Sequence, residues 1–254
     1  MKNGALHYNT RRYVNSAIHK QESGLKKYIY NYVNFIKKFV RPGSKVLDVA
    51  CGPGLSSHLL SKNYKVTGID MSKGMVAYAR KKFKDVDFRV DDAHGLSFPD
   101  ESFDAVVACT FIEHINDVGA VLDEMLRVTK RNGHVIIVSP NWFSPLRPIR
   151  GIISPKGYEA MGKNRLRITI WLFKSIYYTF QKLINPKFVF QNPDIENEEL
   201  VGNDVDMVYI ANQYDLGRYF RKKGCKVLKL SADTFRFSSI PPIAPWLGVV
   251  AKKS

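Results

Sequence analysis

Apolar residues along this chain follow two rhythms. Between Gly24 and Val40 (GLKKYIYNYVNFIKKFV), Leu25, Tyr28, Ile29, Val33, Ile36 and Val40 recur at helical spacing. That spacing predicts an amphipathic helix, which Arg41-Pro42-Gly43-Ser44 ends. Shorter runs then alternate with helical ones. Lys45–Ala50 reads as a buried strand, Leu55–Ser61 as a helix and Lys65–Asp70 as a strand. Ser72–Phe83 reads as a helix with Ser72 as its N-cap, and Val86–Val90 and Phe103–Cys109 as strands. Asp117–Lys130 follows as a helix and Gly133–Ser139 as a strand. Short β-runs alternating with helices predict a parallel sheet covered by helices on both faces.

After residue 140 the pattern changes. Residues 141–211 scatter proline and glycine, carry a basic aromatic helix over Leu166–Ile184, and hold an acidic patch, Asp194–Glu199. The alternation resumes with a helix at Asn212–Lys222, then Gly224, a strand at Cys225–Leu230 and a last strand at Trp246–Ala251. The expectation is one α/β domain. Residues 42–140 and 212–254 form its core, 141–211 an inserted cap, and 1–41 a helical N-terminal segment. A chain of 254 residues, 45% hydrophobic, is within the size of a single α/β domain.

Charge adds a second layer. The formal net charge is +16. Residues 1–45 hold 10 Lys or Arg against 1 acid, and residues 141–191 hold 9 against 1, flanking a near-neutral centre. Clustered positive charge attracts phosphates, acidic headgroups or nucleic acid, although it also serves as a solubilising surface. The three cysteines, Cys51, Cys109 and Cys225, have no CxxC spacing, which predicts neither a disulfide framework nor a zinc site. With no secretory core at the start and no run of roughly 18 apolar residues, a soluble cytoplasmic protein is expected.

The most informative stretch is Val46-Leu47-Asp48-Val49-Ala50-Cys51-Gly52-Pro53-Gly54, a strand entering two glycines just before a helix. Glycine lets backbone turn tightly and lie against a ligand. The dinucleotide fingerprint would want a third glycine at position 57, where the chain has Ser57. Asp48 would repel a pyrophosphate and attract an ammonium group, directly or through water. Asp70 closes the second strand, where open α/β sheets bind ligands, and a carboxylate there accepts ribose hydroxyls. Met71 follows and is placed to lie against a base. Asp92, at the tip of the third strand, is placed to accept from an adenine amino group, with the Ala93 N–H donating to a ring nitrogen. Each has a plainer reading as a core or turn residue.

The stretches VLDVACGPG, VTGIDMS, VDDAHGLSFPDESFDAVVAC, FIEHI and LRVTKRNGHVIIVSP, over about residues 42–140, resemble in order the motifs of class I S-adenosylmethionine-dependent methyltransferases. They are most similar to the small-molecule branch often called type 11. The resemblance implies a Rossmann-like, mostly parallel seven-stranded sheet ordered 3-2-1-4-5-7-6, with strand seven antiparallel. It implies S-adenosylmethionine as cofactor and S-adenosylhomocysteine as product. Asp48, Ala50, Cys51, Gly52 and Gly54 would form the loop at its methionine part, and Asp70 would hold the ribose. Met71, Asp92 and Ala93 would meet the adenine. The backbone at Cys109 would receive the ammonium group, and Tyr13, from a segment folded over the site, would contribute.

For the transfer itself, Glu113 and His114 after the fourth strand are the candidate catalytic pair, since a histidine accepts a proton readily near neutral pH. FIEHI also resembles the E-x-x-E-H metal segment of ubiquinone-pathway O-methyltransferases, but Thr110 replaces the first acid, and no metal is expected. The acceptor is expected to be a small molecule set by the cap, whether anionic, apolar or lipid-linked, with peripheral contact to an anionic membrane. An RNA methyltransferase using the basic flanks and a catalytically silent cofactor-binding protein are the alternatives. No [DNS]-P-P-[YFW] motif or Pro-Cys nucleophile is present, which weighs against nucleic acid. Transfer is expected at an oxygen or a nitrogen of the acceptor.

Overall fold

The structure is a computed structural model that describes residues 8–23, 26–141, 144, 165–185, 187–190, 208–230 and 246–254. The Asp194–Glu199 patch and much of the expected cap lie outside the described residues.

Among the described residues, the helices α1 (Arg11–Ser23) and α2 (Lys26–Ile36) precede the alternating core. The core runs β1 (Lys45–Val49), α3 (Leu55–Ser61), β2 (Lys65–Asp70), α4 (Lys73–Lys82), β3 (Asp87–Val90) and β4 (Phe103–Cys109). A 3-10 turn at Ile112–His114 leads to α5 (Val118–Val128) and β5 (Thr129–Pro140). Then come α6 (Arg165–Ile184), α7 (Gln213–Lys222), β6 (Lys226–Lys229) and β7 (Trp246–Lys252).

The seven strands form one sheet ordered β3-β2-β1-β4-β5-β7-β6. The first five pair in parallel, and β7 runs antiparallel to both β5 and β6. This is the architecture the resemblance implied. Alternation along the strands divides the core in two. Leu47, Val49, Val106, Val135, Ile137 and Val249 point to the face packed by α5 and α7. Val46, Val66, Ala105, Val107, Ile136 and Val250 meet Tyr32, Val33, Ile36 and Leu60 of α2 and α3 on the other. Each face buries its own apolar stripe, the main stabilising term in a fold of this kind.

The larger departures from the sequence reading lie at the end of α2 and at the junction of α5 with β5; most others are shifts of a single residue. α2 stops at Ile36 instead of Val40, because residues 37–39 tighten into a turn in which the Lys38 and Phe39 N–H groups bond three residues back. α5 ends at Val128, and β5 starts directly at Thr129, which pairs with Phe103. β-branched Thr129 favours extended backbone, and the sheet takes it. The expected N-cap at Ser72 is in place, and two further helices are capped by side chains that the sequence reading had placed inside them. Ser72 Oγ accepts from Met75 N, and the Asp117 and Asn212 side chains accept from Ala120 N and Tyr214 N.

Candidate active site

The chain order reverses between β1 and β4, which are neighbours, so the sheet has its topological switch point at their carboxyl ends. There β1 passes into the glycine loop. Ala50, Gly52 and Gly54 all take positive φ (55°, 53° and 89°), a left-handed run that curls the backbone before α3 begins. Ala50 tolerates this at a cost of roughly 1 kcal/mol that glycine would not bear. Thr110, immediately after β4, is likewise left-handed at φ 48°. Strained backbone at both strand ends marks the crevice as a place where geometry matters more than stability.

The two glycines have different jobs. A Cβ on Gly54 would lie 2.8 Å from both Ala79 Cβ and Phe88 Cζ, so Gly54 is needed to seat the loop on α4 and β3. A Cβ on Gly52 would meet nothing within 4 Å. Gly52 therefore opens onto unfilled space where a ligand can lie against bare backbone.

Asp70 ties this loop to β2. Its Oδ2 accepts from Gly52 N at 2.9 Å and its Oδ1 from Ser72 N at 2.8 Å. Burial pushes its carboxyl up from the usual range against those two donors. Cys51 N donates to Ile69 O at 2.8 Å, a second stitch between loop and strand. Met71 follows at the surface, 37% exposed, as an apolar wall beside Asp70. Asp92 is exposed, and its Oδ1 already takes the His94 N–H at 3.0 Å and the His94 ring at 2.9 Å. Ala93 beside it is buried.

Asp48 lies beneath the loop and does not open onto the crevice. It is 1% exposed, and its Oδ2 accepts from Ser56 Oγ at 2.7 Å and Ser57 Oγ at 2.6 Å. Burial pushes its carboxyl up to about 6, against the pull of the two serines. The Tyr32 hydroxyl lies close enough to favour the charged form, but falls short of good hydrogen-bond geometry. Ser57 thus has a use in the position where a dinucleotide loop would place glycine.

At the end of β4, burial holds the Cys109 thiol protonated, which fits a packing residue and not a nucleophile. Glu113 is 1% exposed, and its Oε2 accepts from Ser139 Oγ at 2.8 Å. Its main-chain oxygen accepts from Val208 N and Tyr209 N, so the 3-10 turn is pinned to the segment leading into α7. His114 Nε2 lies 4.0 Å from Glu113 Oε1, and the imidazole is partly exposed where the carboxylate is enclosed. Among the described residues no group of three or more His, Cys, Asp or Glu is placed to hold a metal ion.

The N-terminal segment reaches the site through contacts the sequence did not announce. Gln21 Oε1 accepts from Leu55 N at 3.2 Å, at the exit of the glycine loop. Asn9 Oδ1 accepts from Lys73 N at 2.9 Å at the start of α4. Glu22 binds Tyr78 and Lys82 of α4. Tyr13 lies on α1 with its ring edge-on to Tyr8 at 5.0 Å. Tyr28 and Tyr32, one turn apart on α2, bury their hydroxyls beside Cys109 and Asp48, and Ser139 anchors Glu113. The helical spacing of the two tyrosines was visible in the sequence. Their strand partners were not.

A family profile described as a methyltransferase domain matches residues 47–137. A phosphatidylethanolamine N-methyltransferase of Cereibacter sphaeroides is 42% identical over 103 residues, covering 38% of this chain and 51% of that protein. A demethylmenaquinone methyltransferase of Thermotoga maritima is 33% identical over 153 residues, covering 59% of this chain and 65% of that one. The chain thus spans about half to two-thirds of the length of these relatives. A solved S-adenosylmethionine-dependent methyltransferase from Aquifex aeolicus superposes with a TM-score of 0.57 at 17% identity. That superposition covers 93% of this chain and 97% of that one, a likeness of fold.

Proposed function

We propose that this chain, a class I S-adenosylmethionine-dependent methyltransferase by its domain and fold, methylates a small apolar or lipid-linked acceptor at oxygen or nitrogen. The observation that carries the cofactor reading is Asp70, a half-buried carboxylate at the end of β2 beside the switch point, whose two oxygens accept from Gly52 N and Ser72 N. Beside it, Gly52 lines a cradle that a side chain would fill. These features fit a nucleoside with an amino-acid tail.

S-adenosylmethionine supplies, when bound, a methyl group already activated on a sulfonium. The chain's task is to hold, align and keep dry. Gly52 and Gly54, with Ala50 and Cys51, offer backbone to the amino-acid tail, and Asp48 adds negative potential from below the loop. Asp70 is the ribose acceptor. Met71, Asp92 and Ala93 receive the base, and the backbone at Cys109 receives the ammonium group. Tyr13, with α1 bridging the starts of α3 and α4, closes the site from above. His114 accepts or steers the acceptor's proton. Glu113, held by Ser139 and by the main chain of residues 208 and 209, positions that imidazole.

The acceptor class is argued from the two curated relatives, named for a phospholipid and a quinone acceptor, together with the basic, aromatic α6. Association with the periphery of an anionic membrane suits acceptors of that kind. Isothermal titration with S-adenosylhomocysteine tests the cofactor part. Wild-type protein should bind, and Asp70→Asn should weaken binding at least tenfold while thermal unfolding stays cooperative. Well-folded wild type that gives no binding heat refutes the reading. Transfer of labelled methyl from S-adenosylmethionine into an organic-soluble fraction of a lipid extract tests the acceptor part.

A further inference from the structure

Helix α6 faces the wrong way for a helix that serves only to pack. Among its described side chains the buried ones are polar: Ser175, Thr179 and Lys182. Lys182 is fastened to Asp215 of α7 in a fully enclosed ion pair, and it also donates to Lys187 O. On the outer side, Leu166, Ile170, Phe173, Tyr177, Phe180 and Ile184 succeed one another at i, i+4, i+7, i+11, i+14 and i+18. That spacing is a single longitudinal stripe, about 27 Å long at 1.5 Å per residue. Every member is exposed, Phe173 by 68%, Phe180 by 63% and Ile184 by 71%. An ordinary surface helix buries such a stripe.

Three observations say what covers it. The helix contains no acidic residue, and exposed Lys174 lies beside the stripe. The surrounding segment, residues 141–191, carries 9 Lys or Arg against 1 acid in a chain of net charge +16. Among the described residues no helix is long and apolar enough to cross a membrane, so the stripe cannot be read as part of a span. An apolar stripe beside an exposed lysine, on a helix without acids in a strongly basic stretch of sequence, matches the boundary between acyl chains and anionic headgroups. Self-association would bring two strongly basic surfaces together. We infer that the outer face of α6 is a docking surface for an anionic lipid bilayer, with Phe173, Tyr177 and Phe180 entering the interface and the neighbouring basic residues meeting lipid phosphates. This deepens the lipid-acceptor reading and rests on it only for the purpose of docking; the surface itself is independent of cofactor binding.

Cosedimentation with vesicles of phosphatidylglycerol and phosphatidylcholine, set against pure phosphatidylcholine, tests it with the full chain. Wild type should bind the anionic vesicles and bind less as salt rises. Phe173→Ser/Phe180→Ser should partition roughly tenfold more weakly with an unchanged melting temperature and unchanged S-adenosylhomocysteine affinity, since both rings are solvent-facing. Ser175→Ala, on the buried face, should bind vesicles as wild type does. Three results overturn the inference: wild type that ignores anionic vesicles, a double variant that binds them as well as wild type, or sedimentation equilibrium in which the double variant merely turns a dimer into a monomer. Loss of vesicle binding with intact cofactor binding separates this failure from failure of the methyltransferase reading.

Discussion

Asp48→Asn should make the protein more stable at pH 8 and leave it nearly unchanged at pH 4. The wild-type carboxylate is enclosed, and burial raises its pKa from 3.8 to about 6 despite the hydroxyls of Ser57 and Ser56. A pKa raised by folding contributes stability that is fully present below the unfolded value. That stability is lost as pH rises through the folded value, because the folded state must then hold a charge the unfolded chain carries at no cost. A rise from 3.8 to about 6 corresponds to about 3 kcal/mol of folding free energy lost between roughly pH 4 and 7. Asparagine keeps an oxygen for Ser56 and Ser57 and points its amide toward Tyr32, but has no charge to bury. Urea unfolding of both proteins in parallel, at half-unit steps from pH 4 to 8, isolates the effect, since all other titrations cancel in the difference. The stability of Asp48→Asn minus that of wild type should climb by about 3 kcal/mol with a midpoint between 4 and 6. A flat difference, or one that falls with pH, refutes the reasoning. S-adenosylhomocysteine should bind the variant more weakly at pH 8, which would identify the enclosed charge as one kept for the ligand at the expense of stability.

Four other substitutions probe the same framework. Lys182→Met leaves Asp215 buried without its cation and should cost about 3–5 kcal/mol by denaturant unfolding, most of it restored in Lys182→Met/Asp215→Leu. Gly54→Ala drives a methyl to 2.8 Å from Ala79 and Phe88 at φ +89°, and should destabilise the protein by about 2–4 kcal/mol. Gly52→Ala meets no atom and should cost only about 1 kcal/mol of backbone strain, yet weaken S-adenosylhomocysteine binding in calorimetry. His114→Ala should lower turnover of the correct acceptor about 100-fold with unaltered cofactor affinity; undiminished turnover would remove His114 from the mechanism.

The parallel core was legible because its signals are local. VLDVACGPG and KVTGID each carry a strand, its end and its turn within ten residues, and their period and glycine placement survive folding nearly unchanged. Asp70 was legible for the same reason, since its role follows from standing at a strand end. Asp48 was harder. Its proximity to the loop was clear, but whether its carboxylate points into the crevice or under it depends on the pleat and on Ser56 and Ser57 arriving from α3. Glu113 and Ser139 meet across 26 residues, and Gln21 meets Leu55 across 34; no periodicity encodes such partners. The aromatic richness of α6 was plain, whereas the direction of its apolar stripe was fixed by Lys182 finding Asp215, a contact between two buried charges that hydropathy alone would have placed at the surface.

The position of β7 between β5 and β6 has a consequence for synthesis on the ribosome. β5 spans Thr129–Pro140 and pairs along most of its outer edge with β7, the last strand of the chain. While the ribosome is still adding residues beyond β6, the five parallel strands are complete but that long edge is bare, and the pocket later filled by Leu247, Val249 and Ala251 is open. An uncovered edge of apolar strand recruits other strands. Nascent chains stalled before residue 246 should therefore be held by chaperones or clump together, and release of β7 is the step at which this edge becomes safe.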